Sequence, residues 1–148
     1  MLSQLFTGSA ITLISLIGAT IIWWVLTEVI LRVEPWLAAP PRVTKTFVAI
    51  FLVVVSTMTI MTFGVFLWAA TFMQTAVFET WEEAVYYSLV AYTTLGLGDV
   101  TIPIGQRLLG GMTGANGFLM FGLLTAMLTD ALRHIRRVQR EFEPNKAD

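Results

Sequence analysis

Three long stretches of the chain carry no charged side chain: Met1 to Thr27, Thr46 to Phe78 and Leu108 to Thr129. A helix needs about 20 apolar residues to cross a bilayer, so each stretch is long enough to cross once. A fourth uncharged run, Ala84 to Gly98, has only 15 residues. That is too short to cross and suits a segment that enters the membrane and turns back. The pattern predicts a first helix over Ser9 to Leu31 and a second over Phe47 to Phe72. Thr80-Trp-Glu-Glu83 has the form of a capping box, threonine at the N-cap and glutamate three residues on, and starts a short helix through about Ala91. Val100 to Pro103 reads as an extended exit. A third spanning helix starts near Gly105 and continues past the membrane into the charged RHIRRVQREFE stretch. The connection EPWLAAPPR holds three prolines and is expected to be irregular or a short interfacial bend.

Composition and charge sharpen this picture. Hydrophobic residues make up 56% of the 148 and charged ones 13%. A soluble chain this small cannot bury so much apolar surface, so lipid must be its solvent. The first run has no basic leading segment and is too long for an ordinary signal peptide core. Without cysteine there is no disulfide framework and no thiolate metal site. Arg32, Arg42 and Lys45 lie between the first and second spans, and Arg133, Arg136, Arg137, Arg140 and Lys146 follow the third. Only Arg107 lies between the second and third. The positive-inside rule therefore puts the first connection and the C-terminus in the cytoplasm, and the N-terminus and residues 74–107 outside. Trp68 and Trp81 are expected at the outer interface and Trp36 at the inner one.

Residues 93–99 read TTLGLGD. Non-helical backbone at membrane depth is tolerated where it lines a watery path or binds ions. Gly96 and Gly98 reach positive φ without penalty. Backbone that alternates in hand turns successive carbonyls to one side. The resulting ladder of oxygens can replace the water shell of a hard monovalent cation. One strand supplies too few oxygens, so several chains must surround one axis. Thr94 adds a hydroxyl at the inner end.

With its capped short helix before it and a glycine-bearing span after it, this run resembles the potassium-channel signature T-x-G-[YF]-G-D. The likeness covers roughly residues 46–133, and it is to a small subunit of the bacterial type. It implies an all-α membrane protein with three transmembrane helices, a re-entrant pore helix and a selectivity-filter loop, four chains forming one pore. By position the ion-binding filter is Thr94, Leu95, Gly96, Leu97 and Gly98, with potassium held at Thr94, Leu95, Gly96 and Leu97. Thr93 and Asp99 flank it as support. Residues 117–126 (GFLMFGLLTA) resemble the inner helix of simple bacterial members. Gly117 falls at the gating hinge, and Phe118, Phe121 and Thr125 face the cavity or gate. For Gly117 close helix packing is an equal alternative, and for Gly110 and Gly114 packing is the preferred reading.

This chain departs from the family pattern in two places. Leu97 stands where the family has an aromatic ring that braces the filter, although GLG is similar to the second pore loop of some animal tandem-pore potassium channels. Val90 stands where some bacterial members carry a glutamate that shares a proton with the filter aspartate. Tyr86 and Tyr87 sit where the family often has two tryptophans, and one of their hydroxyls is expected to partner Asp99.

The resulting division is an additional helix over 1–33, a cytoplasmic loop over 34–45, a pore domain over 46–133 and a cytoplasmic helical tail over 134–148. The expected partners are potassium ions, lipid and three further copies of the chain, with no nucleic acid and no cofactor beyond the permeant ion. The resemblance implies a prokaryotic inner membrane. A weakly selective cation channel and a non-conducting membrane accessory subunit are the alternatives. Catalysis has no footing: there is no nucleophile-base pair, and neither a P-loop lysine nor the third glycine of a dinucleotide fingerprint follows the run. Glu79, Glu82 and Glu83 either form an outer acidic ring or complement a helix dipole. Five further readings are local. Glu28 pairs with Arg32 and Arg137 with Glu141. Asp130 pairs with Arg133 or His134. His134 is otherwise solvated. Asn116 either lines the cavity or bonds a neighbouring helix.

Overall fold

The computed structural model describes residues 1–38 and 42–141, without the side chains at 34, 37, 38, 42, 43 and 138–141. Four helices follow one another: α1 (Leu2–Ala38), α2 (Arg42–Gln74), the short α3 (Trp81–Tyr92) and α4 (Arg107–Glu141), the last entered through a 3-10 turn at Ile104–Gln106. Three segments, Leu2–Val33, Thr44–Gln74 and Ile104–Arg137, are long and apolar enough to cross a membrane. Within their most apolar windows only 17% to 28% is buried inside the chain, so lipid or further chains must cover the rest.

Helix is the only local solution for these runs, because each backbone N–H and C=O must be satisfied within its own segment. The scattered hydroxyls obey the same constraint. Thr12, Thr20, Ser56, Thr57, Thr125 and Thr129 each donate to the carbonyl four residues earlier, at 2.8–2.9 Å.

The helices overrun the expected bounds. α1 begins seven residues before Ser9 and continues through Pro35 to Ala38, so most of the EPWLAAPPR connection is helical rather than irregular. Only one turn lies beyond the proline, and that end of the helix is strapped to its neighbour. Lys45 near the start of α2 donates to the Trp36 carbonyl at 2.8 Å, and its ammonium stands 4.8 Å from the Trp36 ring centroid. The Arg32–Glu28 pair forms at 3.0 Å on an exposed face. The Glu141 side chain and Lys146 lie outside the described residues, so the expected Arg137–Glu141 pair does too.

Contacts fix the topology. Gln4 on α1 donates to the Gly105 carbonyl, Gly8 faces Met112, and Leu26 and Ile30 share a cluster with Ala131 and Ile135. α1 and α4 therefore run side by side in the same direction, and α2, which adds Ala49 and Val53 to that cluster, runs opposite to both. The larger core gathers Trp68, Ala69 and Phe72 of α2, Ala84 and Tyr92 of α3 and Leu109, Met120 and Leu124 of α4. Trp68 is 0% exposed, which corrects its expected place at the outer interface. Its ring packs on Phe72 at 5.9 Å between centroids. Trp81 and Trp36 are exposed.

α3 lies against the first half of α4. A Cβ added at Gly110 would meet the Tyr87 hydroxyl, one at Gly114 would touch the Ala91 carbonyl at 3.4 Å, and one at Gly117 would overlap the Tyr92 carbonyl outright. Three glycines on α4 thus make the bed on which the short helix rests, and the short helix ends at the level of Gly117.

Candidate functional site: the 93–99 loop and its supports

Local chemistry at both ends of α3 positions the loop. Thr80 Oγ1 accepts from the Glu83 amide at 3.2 Å and caps the helix start. The reciprocal bond from the Glu83 side chain is not made among the described residues. Glu82 and Glu83 lie in the first turn, where negative charge is favoured. At the far end, the loop's own amides wrap the last carbonyls. Thr93 N–H donates to Leu89 O at 3.0 Å, Thr94 N–H to Ala91 O at 3.0 Å, and the Leu95 and Gly96 amides both donate to Val90 O, at 3.0 and 3.3 Å. The loop therefore leaves the helix in a defined direction.

Beyond that cap the backbone alternates. Thr94, Gly96 and Gly98 have φ of 59°, 62° and 78°, while Leu95 and Leu97 between them do not enter the positive region. Glycine adopts this conformation freely, but threonine does so at a cost of roughly 1–2 kcal/mol. A residue held there marks a backbone dictated by something other than local preference. Residues 93–99 are all exposed within one chain. Leu95 and Leu97 are 65% and 59% exposed, so both side chains lie mostly open within one chain. The two threonines differ. Thr93 Oγ1 donates back to Leu89 O at 2.7 Å, whereas the Thr94 hydroxyl has no partner among the described residues.

Of the two tyrosines, Tyr86 reaches the aspartate: its hydroxyl donates to Asp99 Oδ2 at 2.5 Å. That bond, with the backbone amides of Asp99 and Val100, holds the Asp99 carboxyl below its ordinary range, and the same bond raises the Tyr86 phenol. Tyr87 is turned elsewhere. Its ring meets Phe72 and Phe78, each at 5.3 Å between centroids, and its hydroxyl faces Gly110.

Below the loop, Thr93, Thr94, Tyr92, Gly117, Phe118, Phe121 and Met61 line a cavity of about 460 Å³. Phe118 and Phe121 are 70% and 66% exposed. Thr125 is committed to its own helix through the bond to Phe121 O. Above the loop, an open depression holds Glu83, Asp99 and Arg107.

Several polar residues stand differently from expectation. Asn116 neither lines the cavity nor bonds a helix; it is 1% exposed, and both amide atoms lack a partner among the described residues. Asp130 forms no ion pair with Arg133 or His134, and His134 is not simply solvated, because its Nε2 is buried and unpartnered among the described residues. Tyr92 is a position that pattern reading missed. It is 1% exposed, its hydroxyl faces Gly64 and its carbonyl faces Gly117, so it joins three helices. An aromatic residue ending a short helix just before the loop was the available signal.

No curated protein and no solved structure matches the chain. One family model does, described as an ion channel, and it spans residues 49–134, more than half of the 148. That match takes in most of α2, α3, the loop and most of α4, and it leaves α1 outside. On this match and its membrane-length helices, the chain belongs to the ion-channel family as an integral membrane protein.

Proposed function

We propose that the chain is a potassium-selective channel subunit that works as a homotetramer and conducts passively. The observation that carries this reading is the alternating backbone at Thr94, Gly96 and Gly98, set at the end of a capped helix too short to cross. An oxygen ladder from Thr94 to Gly98, with the unpartnered Thr94 hydroxyl at its inner end, replaces water around the ion. A single exposed strand cannot surround a cation, and four copies around one axis can. On this reading α3 is a re-entrant pore helix, and residues 46–133 are the pore domain. Residues 1–33 are an added helix, 34–45 a cytoplasmic connection and 134–148 a cytoplasmic tail. The N-terminus lies outside, in a prokaryotic inner membrane.

Tyr86 and Asp99 brace the loop at its outer end, and Thr93 anchors it to α3. Phe118, Phe121 and Thr125 line the pathway below or gate it. Glu79, Glu82 and Glu83, repeated four times, concentrate cations at the outer mouth. A hinge at Gly117 is compatible with this reading, but its contact with Tyr92 favours a packing role. A weakly selective cation channel is the second reading, and it rests on Leu97, which lacks the family's aromatic ring and is left mostly exposed by its own chain.

Rubidium uptake tests the proposal. Liposomes holding the purified protein are loaded with potassium and diluted into sodium buffer with trace rubidium. A selective pore accumulates rubidium, and the added sodium-loaded control does not. Equal uptake from both supports the weakly selective reading, and no uptake supports an accessory subunit.

A further inference from the structure

α1 and α4 enclose a second cavity at the end of the molecule opposite the loop. It measures about 280 Å³. Trp23 and Ile30 of α1 give it apolar walls, and Asp130, Arg133, His134 and Arg137 of α4 supply its polar side. Two guanidiniums and an imidazole oppose a single carboxylate. Among the described residues neither Arg133 nor Arg137 has an ion-pair partner, and the His134 Nε2 is buried with no hydrogen bond. Three groups able to donate hydrogen bonds therefore line one cavity, and among the described residues none of them is paired with the Asp130 carboxylate beside them. The cavity also lies at the ends of two membrane-length segments, Leu2–Val33 and Ile104–Arg137. Lipid headgroups sit at that depth.

We propose that this cavity binds the phosphate of an anionic phospholipid. Arg133 and Arg137 match phosphate oxygens with charge-assisted hydrogen bonds. Trp23 and Ile30 receive the glycerol and upper acyl carbons, and an indole is suited to that boundary. The apolar wall favours a lipid over free phosphate, which has nothing to place against Trp23. The site needs α1, which lies outside the matched ion-channel segment. A bound phosphate would tie α1 to the end of α4, giving the added helix a task that the pore itself does not require.

The test uses the purified full-length protein in a neutral detergent and reads its melting temperature, so it does not depend on conduction. Phosphatidylglycerol, phosphatidylcholine and inorganic phosphate are added separately. The proposal expects phosphatidylglycerol alone to raise the melting temperature, by roughly 5 °C near saturation. Arg133→Gln and Arg137→Gln should each lose most of that rise. Arg136→Gln, on the same helix but not lining the cavity, should keep it. Because each variant is compared with itself without lipid, a change in basal stability does not obscure the result. An equal rise in all variants would overturn the proposal, as would an equal rise with phosphatidylcholine. Inorganic phosphate reproducing the rise would assign the site to free anions instead of lipid.

Discussion

At the level of single residues, Tyr86 and Asp99 hold one end of the loop. The Tyr86–Asp99 bond is the contact that ties the Asp99 end of the loop to α3. Because the Asp99 carboxyl is held below its ordinary range, the ionised form and its brace are fully present above that range. They are lost only as the pH on that side of the membrane falls through the depressed value. Removing the phenol in Tyr86→Phe lets the carboxyl return toward ordinary behaviour. Currents recorded while the Asp99 side is acidified should then fail at a higher pH than in the parent protein, and decay several-fold faster at neutral pH. Identical acid sensitivity would count against the brace. Leu97 makes the complementary case. Leu97→Tyr should raise the potassium-to-sodium permeability ratio if a ring at this position narrows the loop's freedom, and an unchanged ratio would remove the bracing argument.

At the element scale the short helix and α4 are fitted to each other by glycine. A Cβ at Gly117 would overlap the backbone carbonyl of Tyr92, which cannot rotate away as a side chain does. Gly117→Ala should therefore destabilise the protein by about 1–3 kcal/mol, the range for overpacked cores. Thermal unfolding in detergent measures this. A variant that melts like the parent but opens differently would revive the hinge reading. Asn116 makes the opposite prediction. A buried amide without partners costs about 1–3 kcal/mol, so Asn116→Val, which removes the polar atoms at a closer volume, should raise the melting temperature. A fall would mean that water or an ion satisfies the amide in the membrane.

How well each element could be read from sequence follows the physics of its boundary. The Thr80 cap and the end of α3 were legible, because capping is a local hydrogen bond between residues three apart. The start of α1 and the helical path through Pro35 were not. The interaction holding that end, Lys45 against Trp36, joins residues nine apart across two helices. Charge pairing also misled at Asp130. Spacing of three or four residues puts groups on one helix face, yet Arg133 and His134 line a cavity with α1 instead of closing on the carboxylate.

At the scale of the whole molecule, a single chain leaves its proposed working surface uncovered. The 93–99 loop, Phe118 and Phe121 are all exposed, and so is most of each membrane-length helix. Lipid can cover the outer faces. It cannot serve loop backbone, which needs polar partners or water. Glycine alternation made the loop's conformation legible from sequence. The positive φ at Thr94 was not, because nothing in a threonine announces a conformation that its neighbours impose. The central claim is that four such loops make one potassium-selective pathway. The reversal potential in a planar bilayer, with potassium on one side and sodium on the other, tests it most directly. The account predicts a reversal close to the potassium limit, and a clear current reversing near zero would contradict it.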